Sequence, residues 1–159
     1  MRVIELWRFP VKSVGGEQLT AADVGPLGIE GDRGWGLVDD ATGNVLTGRR
    51  EPRLLMASAS IIDGAPVVTP ADGGALRTSA EMSRWLGRPV TLAADSERSR
   101  VSIVSTDSLG GWDVRRFRTN VVVDGSGEDG LVGGTVRLGG VCRSGPPWPS
   151  AAASGSATR

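Results

Sequence analysis

Glycine and proline cut this chain into short pieces, and that punctuation limits the fold more than any other feature. Of 159 residues, 24 are Gly and 9 are Pro, which leaves little room for helices of several turns. The pieces between them are rich in Val, Ile, Leu and Thr, with Trp at intervals, and most of these suit a pleated, half-buried surface. Residues 3–9 predict a strand that stops at Pro10, and 18–24 a second one closed by Gly25-Pro26. Residues 35–39 and 44–47 flank the turn-like Asp40-Ala41-Thr42-Gly43 and predict a hairpin. Residues 54–62 are apolar enough for a buried strand, as are 67–69 ahead of a loop at Asp72-Gly73-Gly74. Strands resume over 90–92, 101–104, 120–123 and 135–138. One segment differs. Thr78 and Glu81 have capping-box spacing, Met82, Trp85 and Leu86 then share a face, and Gly87 ends the run, which predicts a helix. About ten short strands with one or two short helices make the fold class mostly β, a β-barrel or closed sheet assembly.

The length fits one domain, or one compact domain with a small appended piece. A chain of this size buries roughly 70% of its unfolded surface and needs no disulfide or zinc to hold a core. Eighteen basic and 18 acidic residues cancel, which argues against a general nucleic-acid or membrane-surface binder. There is no His and no Tyr, so a His-dependent triad, a His-ligated metal and a Tyr general acid are excluded. The single cysteine, Cys142, rules out an internal disulfide and a Cys-rich zinc site. No apolar run reaches the roughly 20 residues that span a bilayer, and Glu5 interrupts the N-terminal segment. The expectation is a cytoplasmic protein without a signal peptide.

Three polar clusters could carry chemistry, and each has a plain structural alternative. Phe9-Pro10-Val11-Lys12-Ser13 is either an ordinary polar turn or an anion clamp, with Lys12 as a point charge and Ser13 as a donor. In Gly28-Ile29-Glu30-Gly31-Asp32-Arg33-Gly34-Trp35, Asp32 and Arg33 could form a surface ion pair worth at most about 1 kcal/mol. Alternatively, the glycines let Arg33 grip a planar acid or phosphate with both nitrogens. In residues 113–120, strand alternation puts Arg116, Arg118 and Asn120 on one face and Phe117 on the other. That row either meets an anion or guards an edge strand with charge.

Taken in order, the clusters resemble one family. Phe9-Pro10-Val11-Lys12-Ser13, Gly31-Asp32-Arg33, Leu46-Thr47-Gly48-Arg49, Pro52-Arg53-Leu54 and Arg116-Phe117-Arg118-Thr119-Asn120 resemble the successive motifs of MOSC proteins. The pattern continues through Glu128-Asp129-Gly130-Leu131-Val132-Gly133 and Val136-Arg137-Leu138-Gly139, so it covers residues 1–141. The resemblance implies a MOSC-type β-barrel, with an N-terminal β-barrel segment over 1–92 and a partial MOSC core over 93–141, while the Gly-, Pro-, Ser- and Ala-rich run over 142–159 predicts a disordered or frameshifted tail. It implies binding of the molybdenum cofactor (molybdopterin), a pterin phosphate carrying Mo, or carriage of sulfur for its maturation. Relatives with this N-terminal barrel resemble amidoxime-reducing enzymes, which reduce N-hydroxylated compounds with electrons from a redox partner. A cofactor-maturation protein is the other implied partner, and pyridoxal phosphate binding is a further family-level association. Carried over residue by residue, Lys12, Ser13, Arg33, Arg118 and Asn120 match positions that hold the cofactor's phosphate and pterin. Ser108, in Ser105-Thr106-Asp107-Ser108, lies in a segment similar to one that also lines the site. No catalytic residue or metal ligand is assigned.

The chain departs from the family in three places. Thr119 stands where the family usually has Pro, which restores a backbone N–H, and the loop between Leu92 and Asp113 is short. The family's Mo-ligating or sulfur-carrying Cys follows an Arg after one more strand, whereas Cys142 comes early and precedes Arg143. A soft thiolate is what a Mo centre wants, so without it the alternative function is a non-catalytic pterin-phosphate binding module or an inactive remnant. A one-base change of frame from codon 142 onward permits an Arg-Cys-apolar triplet where the family pattern places it, hence the frameshifted tail as an expectation.

Overall fold

A computed structural model describes residues 1–95 and 101–132 with their side chains, and the backbone of Val136–Arg137, Cys142–Arg143 and Ser154–Gly155. The chain is mostly β. In order, the elements are β1 (Val3–Arg8), β2 (Glu17–Leu19), β3 (Ala21–Ala22), β4 (Val24–Gly25), β5 (Gly28–Ile29) and β6 (Trp35–Asp39). Then come α1 (Arg53–Met56), β7 (Ser58–Ile62), β8 (Ala65–Thr69), α2 (Ser79–Leu86), β9 (Val90–Ala94), β10 (Ile103–Ser105), α3 (Thr106–Leu109) and β11 (Val121–Val123). Two-residue strands β12 (Val136–Arg137), β13 (Cys142–Arg143) and β14 (Ser154–Gly155) follow. Two compact units interleave along the chain. Met1–Trp7, Gln18–Glu30 and Arg100–Arg159 form the first, and Arg8–Glu17 with Gly31–Ser99 the second. The sequence reading draws consecutive segments at 1–92 and 93–141.

The first unit is built on a sheet ordered β10-β11-β1-β2. β11 runs parallel to β10 and antiparallel to β1. Its three valines are buried, as an unbroken apolar run requires when both faces of a strand are covered. Val121 and Val123 pack with Val3 and Leu6, while Val122 packs with Leu109 and Val114. In β1, Val3 lies opposite Val123 but Glu5 opposite Val122, so one extra residue is accommodated between them. That bulge is why Val3 and Leu6, three apart, share a buried face. β3 pairs with β13, and β12 with β14, over two residues each. The side chain of Cys142 and most of the 142–159 tail lie outside the described residues.

The second unit joins two antiparallel ribbons, β6 with β9 and β7 with β8. Asp63 and Gly64 link the latter with φ of 53° and 77°, the left-handed pair that a two-residue hairpin turn needs. The predicted 35–47 hairpin closes: Leu46 N–H donates to the Leu37 carbonyl at 2.7 Å, although the returning arm makes a single bridge, Val45 to Val38. The helix predicted at Thr78 forms as read. The Thr78 hydroxyl accepts the Glu81 N–H, the Glu81 carboxylate accepts the N–H groups of Arg77 and Thr78, and Gly87 closes the helix at φ 65°.

Residues 54–56 correct the reading, for they are helical rather than the start of a strand. Pro52 sits at φ −60° and starts a short turn in which only Leu54 is buried. The Arg53 side chain holds both Glu51 carboxylate oxygens, at 2.7 and 3.0 Å, and donates to the carbonyls of Trp85 and Leu86 at the end of α2. The Arg53 guanidinium keeps the Glu51 carboxyl below its ordinary range. The Pro52-Arg53-Leu54 motif is thus a brace between α1 and α2.

Candidate functional site

In the second unit, backbone bonding lays residues 9–12 beside 33–35. Lys12 N–H donates to the Trp35 carbonyl at 2.8 Å, Trp35 N–H to Pro10 at 3.1 Å, and Arg33 N–H to Phe9 at 2.9 Å. Phe9, Val11 and Val14 are fully buried and anchor the loop, while Lys12 and Ser13 between them stay half-exposed. Val14 N–H closes a tight turn on the Val11 carbonyl, which puts Ser13 at φ 65°, a place that turns usually give to glycine. Gly15 and Gly16 finish the loop against the protein. Gly15 N–H donates to the Ala57 carbonyl, and a Cβ on Gly16 would lie 2.2 Å from the Arg8 carbonyl oxygen.

Both cations of this loop pair lie near carboxylates. Lys12 Nζ is 3.7 Å from Asp95 Oδ2, and Arg33 Nη1 is 3.4 Å from Asp32 Oδ2. Asp32 does more than pair with Arg33, because its side chain is 1% exposed and also accepts the Phe9 N–H at 2.7 Å. The fold therefore brings Lys12, Ser13 and Arg33 together on two adjoining segments.

The first unit holds the other three predicted residues, and there the alternation read from sequence is corrected. Asp113 accepts the Arg115 N–H and starts a 3-10 turn over Val114–Arg116, so 113–118 is not a strand. The Arg115 guanidinium on Asp113 lowers that carboxyl to about 2. Arg116 stacks over the Trp112 ring at 4.2 Å, and Arg118 follows at φ 53° with its N–H on the Val114 carbonyl. Asn120 does not share a face with these arginines. It is 0% exposed, its carboxamide oxygen accepts from the Ser102 N–H and hydroxyl, and its nitrogen donates to the Trp7 carbonyl. Asn120 ties β1 to the segment entering β10.

Ser108 lies in α3, its N–H on the Ser105 hydroxyl. The Glu128 carboxylate accepts from the Ser105 N–H at 2.9 Å and lies within reach of the Ser108 hydroxyl. These bonds, Ser108 foremost, lower the Glu128 carboxyl from 4.5 to about 2. A carboxyl depressed by folding contributes stability above its unfolded pKa and loses it as pH falls through the folded one. The unfolding midpoint is therefore expected to drop between pH 4.5 and about 2. Glu128→Gln should flatten part of that slope in thermal melts across pH, leaving the share carried by Asp113. An unchanged slope would mean that the Ser105–Ser108–Glu128 bonding does not form.

Sequence reading missed Asp95 and the Gly15-Gly16 pair, and named Glu128 only within the 128–133 motif, without a role. The glycines carried a signal, two adjacent residues without Cβ directly after the Lys-Ser motif. Four non-glycine residues among those described have left-handed backbone: Ser13, Arg33, Asp63 and Arg118. Asp63 is accounted for by its hairpin turn. The other three are all residues singled out from the sequence as anion ligands.

The family described as the MOSC N-terminal beta barrel domain matches residues 1–123. Over 92 residues the chain is 34% identical to mitochondrial amidoxime-reducing component 1 of Homo sapiens, covering 55% of this chain and 24% of that protein. Over 65 residues it is 40% identical to mitochondrial amidoxime reducing component 2 of Bos taurus, covering 38% of this chain and 19% of that protein. The matched segments thus span a quarter or less of the length of these relatives. Among the described residues no helix is long and apolar enough to cross a membrane.

Proposed function

Because the chain belongs to the MOSC N-terminal β-barrel family, we propose that it holds the phosphate and pterin of the molybdenum cofactor through Lys12, Ser13, Arg33 and Arg118. Ser108 contributes from α3, and Asn120 fixes the segment that carries Arg118. The donor set fits the group. A phosphate dianion wants cations and hydroxyl donors, and charge-assisted hydrogen bonds are about twice as strong as neutral ones. The observation that carries the reading is the backbone strain at Ser13, Arg33 and Arg118. Left-handed conformation costs a residue with a Cβ roughly 1–2 kcal/mol, and such strain gathers where a ligand must be met. When bound, the cofactor supplies redox chemistry at its metal. The amidoxime-reducing relatives support reduction of N-hydroxylated compounds, with electrons from a redox partner, as the activity that the bound cofactor would serve.

Titration with the oxidised, metal-free pterin phosphate, followed by its fluorescence, tests the reading against the dephosphorylated pterin. The phosphorylated form is expected to bind at least about ten-fold tighter, the worth of one charge-assisted contact. Equal affinity for the two, or no binding, would overturn it. The strain makes a further prediction. Ser13→Gly is expected to raise stability by about 0.5–1 kcal/mol, relief of strain less the added chain entropy, while weakening pterin-phosphate binding. Asp63→Gly should give a similar gain with binding unchanged. Thermal melts and titrations of the two variants check both halves, and a Ser13→Gly protein that binds as well as the parent contradicts the role of Ser13.

A further inference from the structure

The two carboxylates beside the loop cations do different things. Asp32 is buried and accepts the Phe9 N–H, so it builds the loop. Asp95 sits one residue beyond the Ala94–Trp35 pair of the β6–β9 ribbon, held by its backbone N–H on the Gly34 carbonyl at 2.8 Å. Its carboxylate lies 3.7 Å from the Lys12 ammonium, with side chains 15% and 34% exposed. At this distance the two form an ion pair rather than a short hydrogen bond, and water reaches the lysine. The formal charges of Lys12, Arg33, Asp32 and Asp95 cancel. An incoming anion therefore gains from Lys12 only what exceeds the attraction Asp95 already provides.

We propose that Asp95 is a resident counter-anion that determines which ligands Lys12 accepts, favouring a phosphate dianion over singly charged groups. This deepens the reading of Lys12 as a phosphate ligand and rests on it. A monoanion replaces the Asp95 carboxylate like for like and gains little. A dianion brings one further charge to the same ammonium, so it wins the exchange. Asp95→Asn keeps the side-chain shape and the backbone tie to Gly34 but removes the competitor. Affinity for a singly charged ligand should then rise most, and the preference for phosphate should narrow.

The test compares pterin phosphate with a pterin bearing a carboxylate in its place, on the parent, Asp95→Asn and Asp95→Glu proteins. Asp95→Asn is expected to bind the carboxylate form about five-fold tighter, the equivalent of a half-exposed ion pair that no longer has to be broken. The ratio of affinities, phosphate over carboxylate, should fall. Asp95→Glu, which keeps the charge, should retain the parent's preference. If Asp95→Asn binds both forms more weakly or no differently, Asp95 merely positions Lys12 and the proposal fails while the phosphate site stands. If the parent binds neither form, the phosphate site itself is wrong and the role of Asp95 falls with it.

Discussion

Alanine at Gly16 is expected to destabilise the protein by about 3 kcal/mol or more, at the upper end of what overpacking costs. Its Cβ would lie 2.2 Å from the Arg8 carbonyl oxygen and 2.6 Å from a ring carbon of Phe9. Neither neighbour can yield cheaply. Arg8 ends β1, and Phe9 is fully buried with its N–H on Asp32 and its carbonyl on the Arg33 N–H. Shifting either one moves the segments that carry Lys12 and Arg33. Pterin-phosphate affinity should therefore fall along with stability. Gly64→Ala is the comparison, since a Cβ there meets nothing within 4 Å and only the φ of 77° is strained. Its cost should be about 1–2 kcal/mol, with no effect on binding. Denaturant midpoints read the difference. A Gly16→Ala protein as stable as the parent would mean that the loop is not packed as described.

Lys12→Ala is expected to weaken pterin-phosphate binding by about 10- to 100-fold, the loss of one hydrogen bond to a charged group. Stability should move by less than about 1 kcal/mol, because the ion pair with Asp95 is partly exposed. That contrast separates a ligand residue from a structural one. Adding Arg118→Ala should abolish measurable binding of the phosphate form while leaving weak, phosphate-independent pterin binding. Titrations of the single and double variants, with melts run in parallel, give both readouts. If Lys12→Ala binds like the parent, Lys12 is an ordinary turn residue.

Much of the fold was legible because it depends on local pattern. The helix at Thr78 needed only its capping box, its Met82–Leu86 face and Gly87, and all three perform as their chemistry predicts. The 113–120 segment was misread because alternation presumes extended backbone. Asp113 instead caps a tight turn, and Arg118 adopts positive φ, which no apolar pattern reveals. Residues 54–56 failed for a related reason: their apolarity suited a strand, but Pro52 had already set a helical start. At the site, residue types were legible and conformations were not. Lys12, Ser13 and Arg33 stood out through their motifs, whereas Asp95 and Glu128 meet their partners only through the fold. A lone acidic residue just past the end of a strand carries no spacing signal, and the 128–133 motif named Glu128 without revealing its partners.

The most direct measurement is the pterin content of the protein purified from cells that make the molybdenum cofactor and from cells that cannot. After oxidation, the protein from the first source should release phosphorylated pterin in near-stoichiometric amount, and the Lys12→Ala, Arg118→Ala protein should release little. Protein from the second source serves as the blank. A parent protein that comes from cofactor-making cells folded but free of pterin would contradict the assignment of Lys12, Ser13, Arg33 and Arg118 to the cofactor.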